Sequence, residues 1–134
     1  MTLLRIADLD VHHGLLRAVT GFSITVEKGE VVSVIGANGA GKSTLMRAVA
    51  GSIPVSAGRI EVSGLDVTHL RAHQRLMSGV ALVPEGRRLF RSLTLEDNLL
   101  AGAYRKRPGP WSLDKVYDLF DWMLDRRNQK SRLL

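Results

Sequence analysis

The sequence of 134 residues contains no cysteine, which excludes disulfide bonds, thiolate metal sites and thiol catalysis. Aromatic residues make up only 5% of the chain, and they are not interleaved with basic residues as in a base-stacking surface. No apolar run is long enough to cross a bilayer, and the first residues lack the apolar segment of a secretory signal. These absences predict a cytoplasmic protein with one apolar core and no nucleic-acid partner.

The positive charge is concentrated in one short stretch. The formal net charge is +6, and half of this excess lies in residues 84–110. The cations of this stretch are Arg87, Arg88, Arg91, Arg105, Lys106 and Arg107. Because Phe90 and Tyr104 are isolated among them, we expect a solvated loop or a protein-docking surface here rather than a nucleic-acid groove.

A glycine-rich segment follows an apolar run in the first half of the chain. Residues 36–44 read GANGAGKST, which fits the pattern G-x-x-x-x-G-K-[ST]. Residues 31–35 before it predict a strand buried on both faces, and residues 43–50 after it predict a helix that ends at Gly51. Strand, loop and helix in this order are the context of a phosphate-binding loop. The alternative, an accidental glycine-rich turn, is expected in roughly one such chain in two hundred.

The residue types in this loop suit a nucleoside triphosphate and its magnesium ion. Glycines let successive backbone N–H groups turn inward, and together with the helix N-terminus they form a positively polarised cup. Lys42 is expected to reach the β- and γ-phosphates, and the Ser43 hydroxyl to ligate Mg²⁺. The predicted nucleotide-binding residues are Gly36, Ala37, Asn38, Gly39, Ala40, Gly41, Lys42, Ser43 and Thr44.

Further strands and helices are predicted on both sides of the loop. The expected strands span residues 3–9, 21–26, 59–62 and 80–83. The expected helices begin after Thr68 and after Thr94, whose hydroxyl side chains can serve as caps, and at Ser112. The last helix is amphipathic, and its apolar side is expected to pack against the helix after Thr94 rather than to hold a cofactor.

Three stretches of the sequence resemble the ATP-binding subunits of ABC transporters, and among them the ATPase of the branched-chain amino acid uptake systems. They read GEVVSVIGANGAGKSTLMRAVAG, SAGRIEVSGLDVT and VALVPEGRRLFRSLTLEDNL, in that order and at family spacing. They cover most of residues 1–104. The string VPEGRRLF is the specific part, because many ABC ATPases have glutamine at the position of Glu85.

This resemblance implies an α/β fold with a P-loop NTPase (ABC ATPase) core, an antiparallel β subdomain and the start of a helical subdomain. We expect one partial ATP-binding domain over residues 1–134. Its nucleotide-binding core and β subdomain would occupy residues 1–91, and the helical subdomain would start within residues 92–134.

The resemblance also implies roles for two residues outside the loop. The adenine-stacking aromatic of the family falls on His13, whose imidazole has less π-surface than tyrosine; an exposed turn is the other interpretation of this position. The nucleotide-sensing loop maps to Glu85, which is expected near Mg²⁺ together with Ser43. The implied cofactors are ATP and Mg²⁺. The implied partners are transmembrane permease subunits and a second ATP-binding subunit, on the inner face of the cell membrane.

Three family motifs have no counterpart in these residues: the LSGGQ-type helix cap, the Walker B strand that ends in Asp-Glu, and the switch histidine. Asp125 is the nearest imitation of Walker B, but it lies on the amphipathic helix. We therefore expect an N-terminal portion of an ABC ATPase for amino-acid import that does not hydrolyse ATP alone, since phosphoryl transfer needs charge neutralisation around Mg²⁺ and an oriented water. The alternatives are a nucleotide-binding or interaction module without hydrolysis, and another small P-loop enzyme such as a kinase.

Overall fold

A computed structural model describes residues 1–104 and 108–133. Arg105, Lys106 and Arg107 of the predicted basic stretch lie outside the described residues. The chain divides into two compact units, Met1–Val83 and Pro84–Leu134. The domain division at residue 91, which the family resemblance implies, stays a prediction. Within the described ranges, no helix has the length and apolar character needed to cross a membrane.

Strands and helices are both present, in agreement with the α/β class expected from the sequence. The strands of the described chain are β1 (Thr2–His13), β2 (Leu16–Glu27), β3 (Ala57–Val62) and β4 (Leu65–Asp66). The helices of the described chain are α1 (Lys42–Val49), α2 (Ala72–Met77), α3 (Leu95–Gly102), α4 (Leu113–Leu119) and α5 (Asp121–Asp125), and a short 3-10 helix follows over Ser131–Leu133.

The first unit is built on an antiparallel sheet in which the strands are ordered β2-β1-β3-β4. The central strand β1 places Ile6 opposite Ile24 on one neighbour and opposite Ile60 on the other. The strands predicted over residues 3–9, 21–26 and 59–62 are thereby confirmed, although β1 and β2 each extend to 12 residues. This sheet is the antiparallel β subdomain that the resemblance implied.

The core of the first unit lies between this sheet and α1. Leu45 and Ala48 of α1 are buried against it, at 4% and 0% exposure. Their buried partners are Ile6, Leu9, Val11, Val19, Ile60, Val62 and Val67. Burying a side chain of this kind contributes about 1.5–3 kcal/mol. Because an isolated helix of 8 residues is too short to be stable in water, this packing holds α1 in place.

Two segments predicted as buried strands are not strands. Residues 31–35 and 80–83 join none of the ladders of the described structure. Val31, Ile35 and Val83 are each 93% exposed. A strand needs hydrogen-bonding neighbours as well as an apolar pattern, and no described strand pairs with either segment. The pattern therefore indicated the apolar character of these residues correctly and their secondary structure wrongly.

The second helix begins later than predicted. Thr68 was expected to cap it, but α2 begins at Ala72 with Arg71 as its N-cap. The Thr68 hydroxyl instead donates to Asp66 Oδ1 at 2.6 Å and accepts from the Ile60 backbone N–H at 2.9 Å. With its proton and a lone pair both engaged, this hydroxyl joins the turn after β4 to β3.

Helices and loops form the second unit. Thr94 caps α3 as predicted, since its hydroxyl accepts from Asp97 N at 3.0 Å while the Asp97 carboxylate accepts from Thr94 N at 3.2 Å. Ser112 caps α4 by accepting from Lys115 N at 3.2 Å. The helix predicted from Ser112 onward is interrupted at Phe120, whose φ of −130° and ψ of 71° leave the helical region before α5 begins.

Tyr117 fixes α4 against α3. Its side chain is buried, and its hydroxyl donates to Glu96 Oε2 at 2.7 Å. This hydrogen bond joins α4 to α3, and packing of the apolar side of α4 against α3 stays a prediction. Burial first, and then the Glu96 carboxylate, raise the pKa of Tyr117 to about 12, because both disfavour the tyrosinate anion.

The raised pKa of Tyr117 predicts a loss of stability in alkali. The folded state holds the Tyr117 proton more tightly than the unfolded state. The contribution of Tyr117 to the free energy of unfolding is therefore complete below the unfolded pKa of about 10, and it is lost as the pH rises towards the folded pKa. Urea unfolding across this window should show a steeper fall in the free energy of unfolding for the parent than for Tyr117→Phe. Equal slopes for the two proteins would contradict the assigned environment.

The exposed apolar residues of segment 31–35 predict self-association. Backbone outside any strand ladder can pair with a second chain, and exposed apolar side chains favour that contact. Replacing Val31 and Ile35 together by Lys should reduce the associated fraction seen by light scattering and leave the melting temperature nearly unchanged. Val34 is the matched control, since it packs against the core. Val34→Lys should lower the melting temperature instead. A monodisperse parent would contradict the prediction.

Candidate phosphate-binding site

The phosphate loop, residues 36–44, meets the antiparallel sheet at Gly41. This glycine is the N-cap of α1, with φ 91° and ψ 3°, in the left-handed region. A Cβ atom at Gly41 would overlap the carbonyl oxygen of Ala18 in β2. The start of α1 therefore rests directly on β2, and only glycine permits this approach. Ala18 was not singled out from the sequence, because a contact made by a backbone carbonyl leaves no side-chain signal.

Two of the three loop glycines are needed for their backbone conformation. Gly39 and Gly41 have positive φ values of 83° and 91°, whereas Gly36 does not have a positive φ. A Cβ at Gly36 would make an ordinary contact with the Ala40 side chain at 3.4 Å. The Ala40 N–H donates to the Ala37 carbonyl at 3.1 Å, which closes a tight turn within the loop. The backbone conformation of the loop thus depends on glycine at positions 39 and 41, and inward-facing N–H groups stay a prediction.

Lys42 is the first residue of α1 and folds back over the start of the loop. Its Nζ donates to the Gly36 carbonyl at 2.5 Å and to the Ala37 carbonyl at 2.7 Å. An ammonium group has three donors and no acceptor, so oxygen atoms are its natural partners. These bonds hold the cation beside the first two residues of the loop and close to the beginning of α1.

Among the described residues, α1 itself supplies no negative side chain in its first turn. Gly41 has no side chain with which to cap this helix. The first helical hydrogen bond runs from Leu45 N to the Gly41 carbonyl at 2.8 Å. The first-turn N–H groups of a helix have no intrahelical acceptor and carry the positive end of its dipole. Together with the Lys42 ammonium they form an electropositive site that suits phosphate.

The donor set at this site is compatible with Mg²⁺. Ser43 is exposed in the first turn of α1 and offers a hydroxyl oxygen beside Lys42. Among residues 1–104 and 108–133, no three His, Cys, Asp or Glu side chains are placed to hold a metal ion on their own. Magnesium takes oxygen ligands and is commonly bound through one or two protein groups together with phosphates and water. A hydroxyl at this position therefore fits an ion that arrives with a nucleotide.

His13 lies at the end of β1, where it pairs with Leu16 across the hairpin. Its side chain is exposed. The neighbouring His12 is anchored differently, since its Nδ1 hydrogen-bonds with the Ser56 hydroxyl at 2.7 Å. Adenine stacking on His13 stays a prediction.

Glu85 is exposed and belongs to the second unit. It precedes a strained turn in which Arg87 and Arg88 have positive φ values of 60° and 43°, uncommon for residues with a side chain. Arg88 Nε donates to the Glu85 carbonyl at 3.4 Å. Joint coordination of a metal by Glu85 and Ser43 stays a prediction, because the two residues lie in different units.

A cleft of about 720 Å³ lies within the second unit. Its apolar lining includes Leu95, Leu99 and Trp122, and Arg87 and Arg91 also line it. An apolar centre with exposed arginines is typical of a protein-docking surface. The two interpretations of the basic stretch, a solvated loop and a docking surface, both stay predictions.

Sequence comparison connects the chain to a known family. The family described as ABC transporter matches residues 19–133. The high-affinity branched-chain amino acid transport ATP-binding protein BraG of Pseudomonas aeruginosa is 37% identical over 92% of this chain and 54% of its own length. A probable branched-chain amino acid transport ATP-binding protein of Archaeoglobus fulgidus is 32% identical over 92% of this chain and 50% of its own. The chain thus spans about half the length of these curated relatives.

A third relative is named for the transport of a different compound. The putative 2-aminoethylphosphonate import ATP-binding protein of Salmonella typhimurium is 45% identical, but over 60% of this chain and 21% of its own length.

Solved structures share the fold. A nucleotide-free ATP-binding cassette from an ABC transporter aligns with a TM-score of 0.70 and 25% identity over 100% of this chain and 59% of that chain. The ADP conformation of such a cassette aligns with a TM-score of 0.69 and 25% identity over the same shares. The fold class expected from the sequence is therefore confirmed. Because the family match includes the phosphate loop and the helix that it begins, this chain belongs to the ABC transporter family.

Proposed function

We propose that the chain binds ATP with Mg²⁺ through residues 36–44 and is the ATP-binding part of an ABC importer. The observation that carries this proposal is the placement of Lys42. Its ammonium lies beside the loop carbonyls of Gly36 and Ala37, at a helix start without any acidic residue. A triphosphate brings the negative charge that this arrangement lacks.

The backbone partners of Lys42 make exchange with phosphate favourable. The Gly36 and Ala37 carbonyls are neutral acceptors. An ionised phosphate adds the attraction between opposite charges to the hydrogen bond, which a neutral carbonyl does not supply. The β- and γ-phosphates therefore compete well for the ammonium, while the first-turn N–H groups of α1 bind the same oxygens.

The proposal includes binding of Mg²⁺ at the same site. The Ser43 hydroxyl would hold it together with phosphate oxygens, and Glu85 is the proposed second protein contact. When bound, the ion neutralises charge on the phosphates. The exposed position of Ser43 at the start of α1 supports this assignment.

The proposed cargo is a branched-chain or related amino acid. Two relatives named for branched-chain amino acid transport match 92% of the chain, whereas the phosphonate importer matches 60% of it.

The proposed partners are membrane permease subunits and a second ATP-binding subunit, which would place the protein at the inner face of the cell membrane. The arginine-lined cleft of the second unit supports docking of a protein partner.

Lys42→Ala tests nucleotide binding directly. Losing one charge-assisted contact of about 1.5–3 kcal/mol should raise the Kd for Mg²⁺-ATP by about 10- to 100-fold, as measured by titration with a fluorescent ATP analogue. Lys28→Ala is the matched control, because Lys28 is an exposed cation in the turn after β2. Its Kd should equal that of the parent. Equal affinity for Lys42→Ala and the parent would refute the assignment of the loop.

A second prediction concerns turnover. The 134-residue chain should release phosphate from ATP no faster than background. No Asp-Glu pair follows an apolar strand in it, and losing one charge-stabilising group can lower the rate by about 10³-fold or more. The measurement compares the parent with Lys42→Ala and Glu85→Gln. Steady turnover by the parent that both substitutions abolish would favour a complete small P-loop enzyme over the proposal.

A further inference from the structure

The side chain of Arg75 is buried in the first unit, at 2% exposure. It lies on α2, and no described carboxylate forms an ion pair with it. A buried cation is costly unless its donors are satisfied. Four backbone carbonyls accept hydrogen bonds from this guanidinium, and they come from separate parts of the chain.

The guanidinium joins the end of α1 to the segment between β4 and α2. Nη1 donates to the carbonyls of Ala48 at 2.6 Å and Val49 at 2.9 Å, in the last turn of α1. Nη2 donates to the Thr68 carbonyl at 2.7 Å, and Nε to the Leu70 carbonyl at 3.0 Å. The planar, five-donor fork of arginine makes this set of bonds possible, whereas the single ammonium of lysine cannot span it.

Gly51 makes room for this group. It follows α1 with φ +76°, and a Cβ atom there would lie 2.9 Å from Arg75 Nε. The guanidinium therefore packs closely against the chain as it leaves α1. The last carbonyls of a helix have no intrahelical partner, and Arg75 supplies donors for two of them.

The opposite end of α1 is the phosphate loop. A helix of 8 residues is about 12 Å long. Its position on the sheet is set by Gly41 against Ala18 at the start, by Leu45 and Ala48 along its length, and by Arg75 at its end. The hydrophobic contacts are non-directional, whereas the bonds of Arg75 define a position along and around the helix axis.

We propose that Arg75 is a positioning residue for the phosphate loop: by holding the last turn of α1, it sets where the first-turn N–H groups and Lys42 lie. The inference deepens the proposed function and rests on it as far as ATP affinity is concerned. A misplacement of the binding groups by about 1 Å is enough to weaken binding substantially. The proposal therefore predicts an effect of Arg75 on ATP affinity beyond its effect on stability.

The test compares Arg75→Lys and Arg75→Met with Val62→Ala, a control on β3 that removes buried apolar packing and leaves all four hydrogen bonds of Arg75 in place. ATP affinity is measured with a fluorescent analogue at a temperature at which melting curves show every variant to be folded. Backbone amide shifts of residues 39–43 are recorded by NMR in the absence of nucleotide. Arg75→Lys should raise the Kd about tenfold and move these amide shifts, and Val62→Ala should do neither.

The outcomes separate the two proposals. Parental Kd and amide shifts in Arg75→Lys would overturn the positioning role, as would an equal rise of Kd in a Val62→Ala variant with the same loss of melting temperature. If the parent fails to bind ATP, the proposed function is wrong, and the amide shifts still decide whether Arg75 positions the loop. If neither Arg75 variant folds, Gly51→Ala displaces the guanidinium instead, and unchanged amide shifts in that variant would overturn the inference.

Discussion

The contact between the start of α1 and the backbone of β2 is the constraint on which the rest of the first unit depends. Gly41 lies so close to the Ala18 carbonyl that no side chain fits between them. This contact fixes the beginning of the helix on a sheet that is itself held by long antiparallel pairing. Leu45 and Ala48 then bury the apolar side of α1 in the same core. A loop of small residues thereby receives a rigid support on one side, which a flexible glycine-rich turn in solution would not have.

The cation at the start of α1 opposes the helix dipole, and this arrangement favours a bound anion. A cation at a helix C-terminus is stabilising, as with Arg75, whereas a cation at the N-terminus, as with Lys42, opposes the helix dipole. Two loop carbonyls offset this cost for Lys42. Local arrangements that oppose stability are expected at functional sites. A bound triphosphate removes this unfavourable interaction, because its negative charge interacts with both the ammonium and the first-turn N–H groups.

The sequence predicted those features that are encoded by neighbouring residues. The loop motif located Gly41 and Lys42 at the start of a helix, and Thr94 was identified as a cap from its hydroxyl side chain. Segments 31–35 and 80–83 were misjudged, since an apolar pattern does not show whether a strand partner is present. The Thr68 hydroxyl is engaged by Asp66 and Ile60. The carbonyls that hold Arg75 come from residues up to 27 positions away, so no local pattern indicated its role.

A structure of the chain with Mg²⁺ and a non-hydrolysable ATP analogue tests the central claim most directly. The account predicts that Lys42 Nζ leaves the Gly36 and Ala37 carbonyls and binds oxygens of the β- and γ-phosphates, while N–H groups at the start of α1 bind the same phosphates. An analogue bound elsewhere, with Lys42 still bonded to the two loop carbonyls, would contradict it.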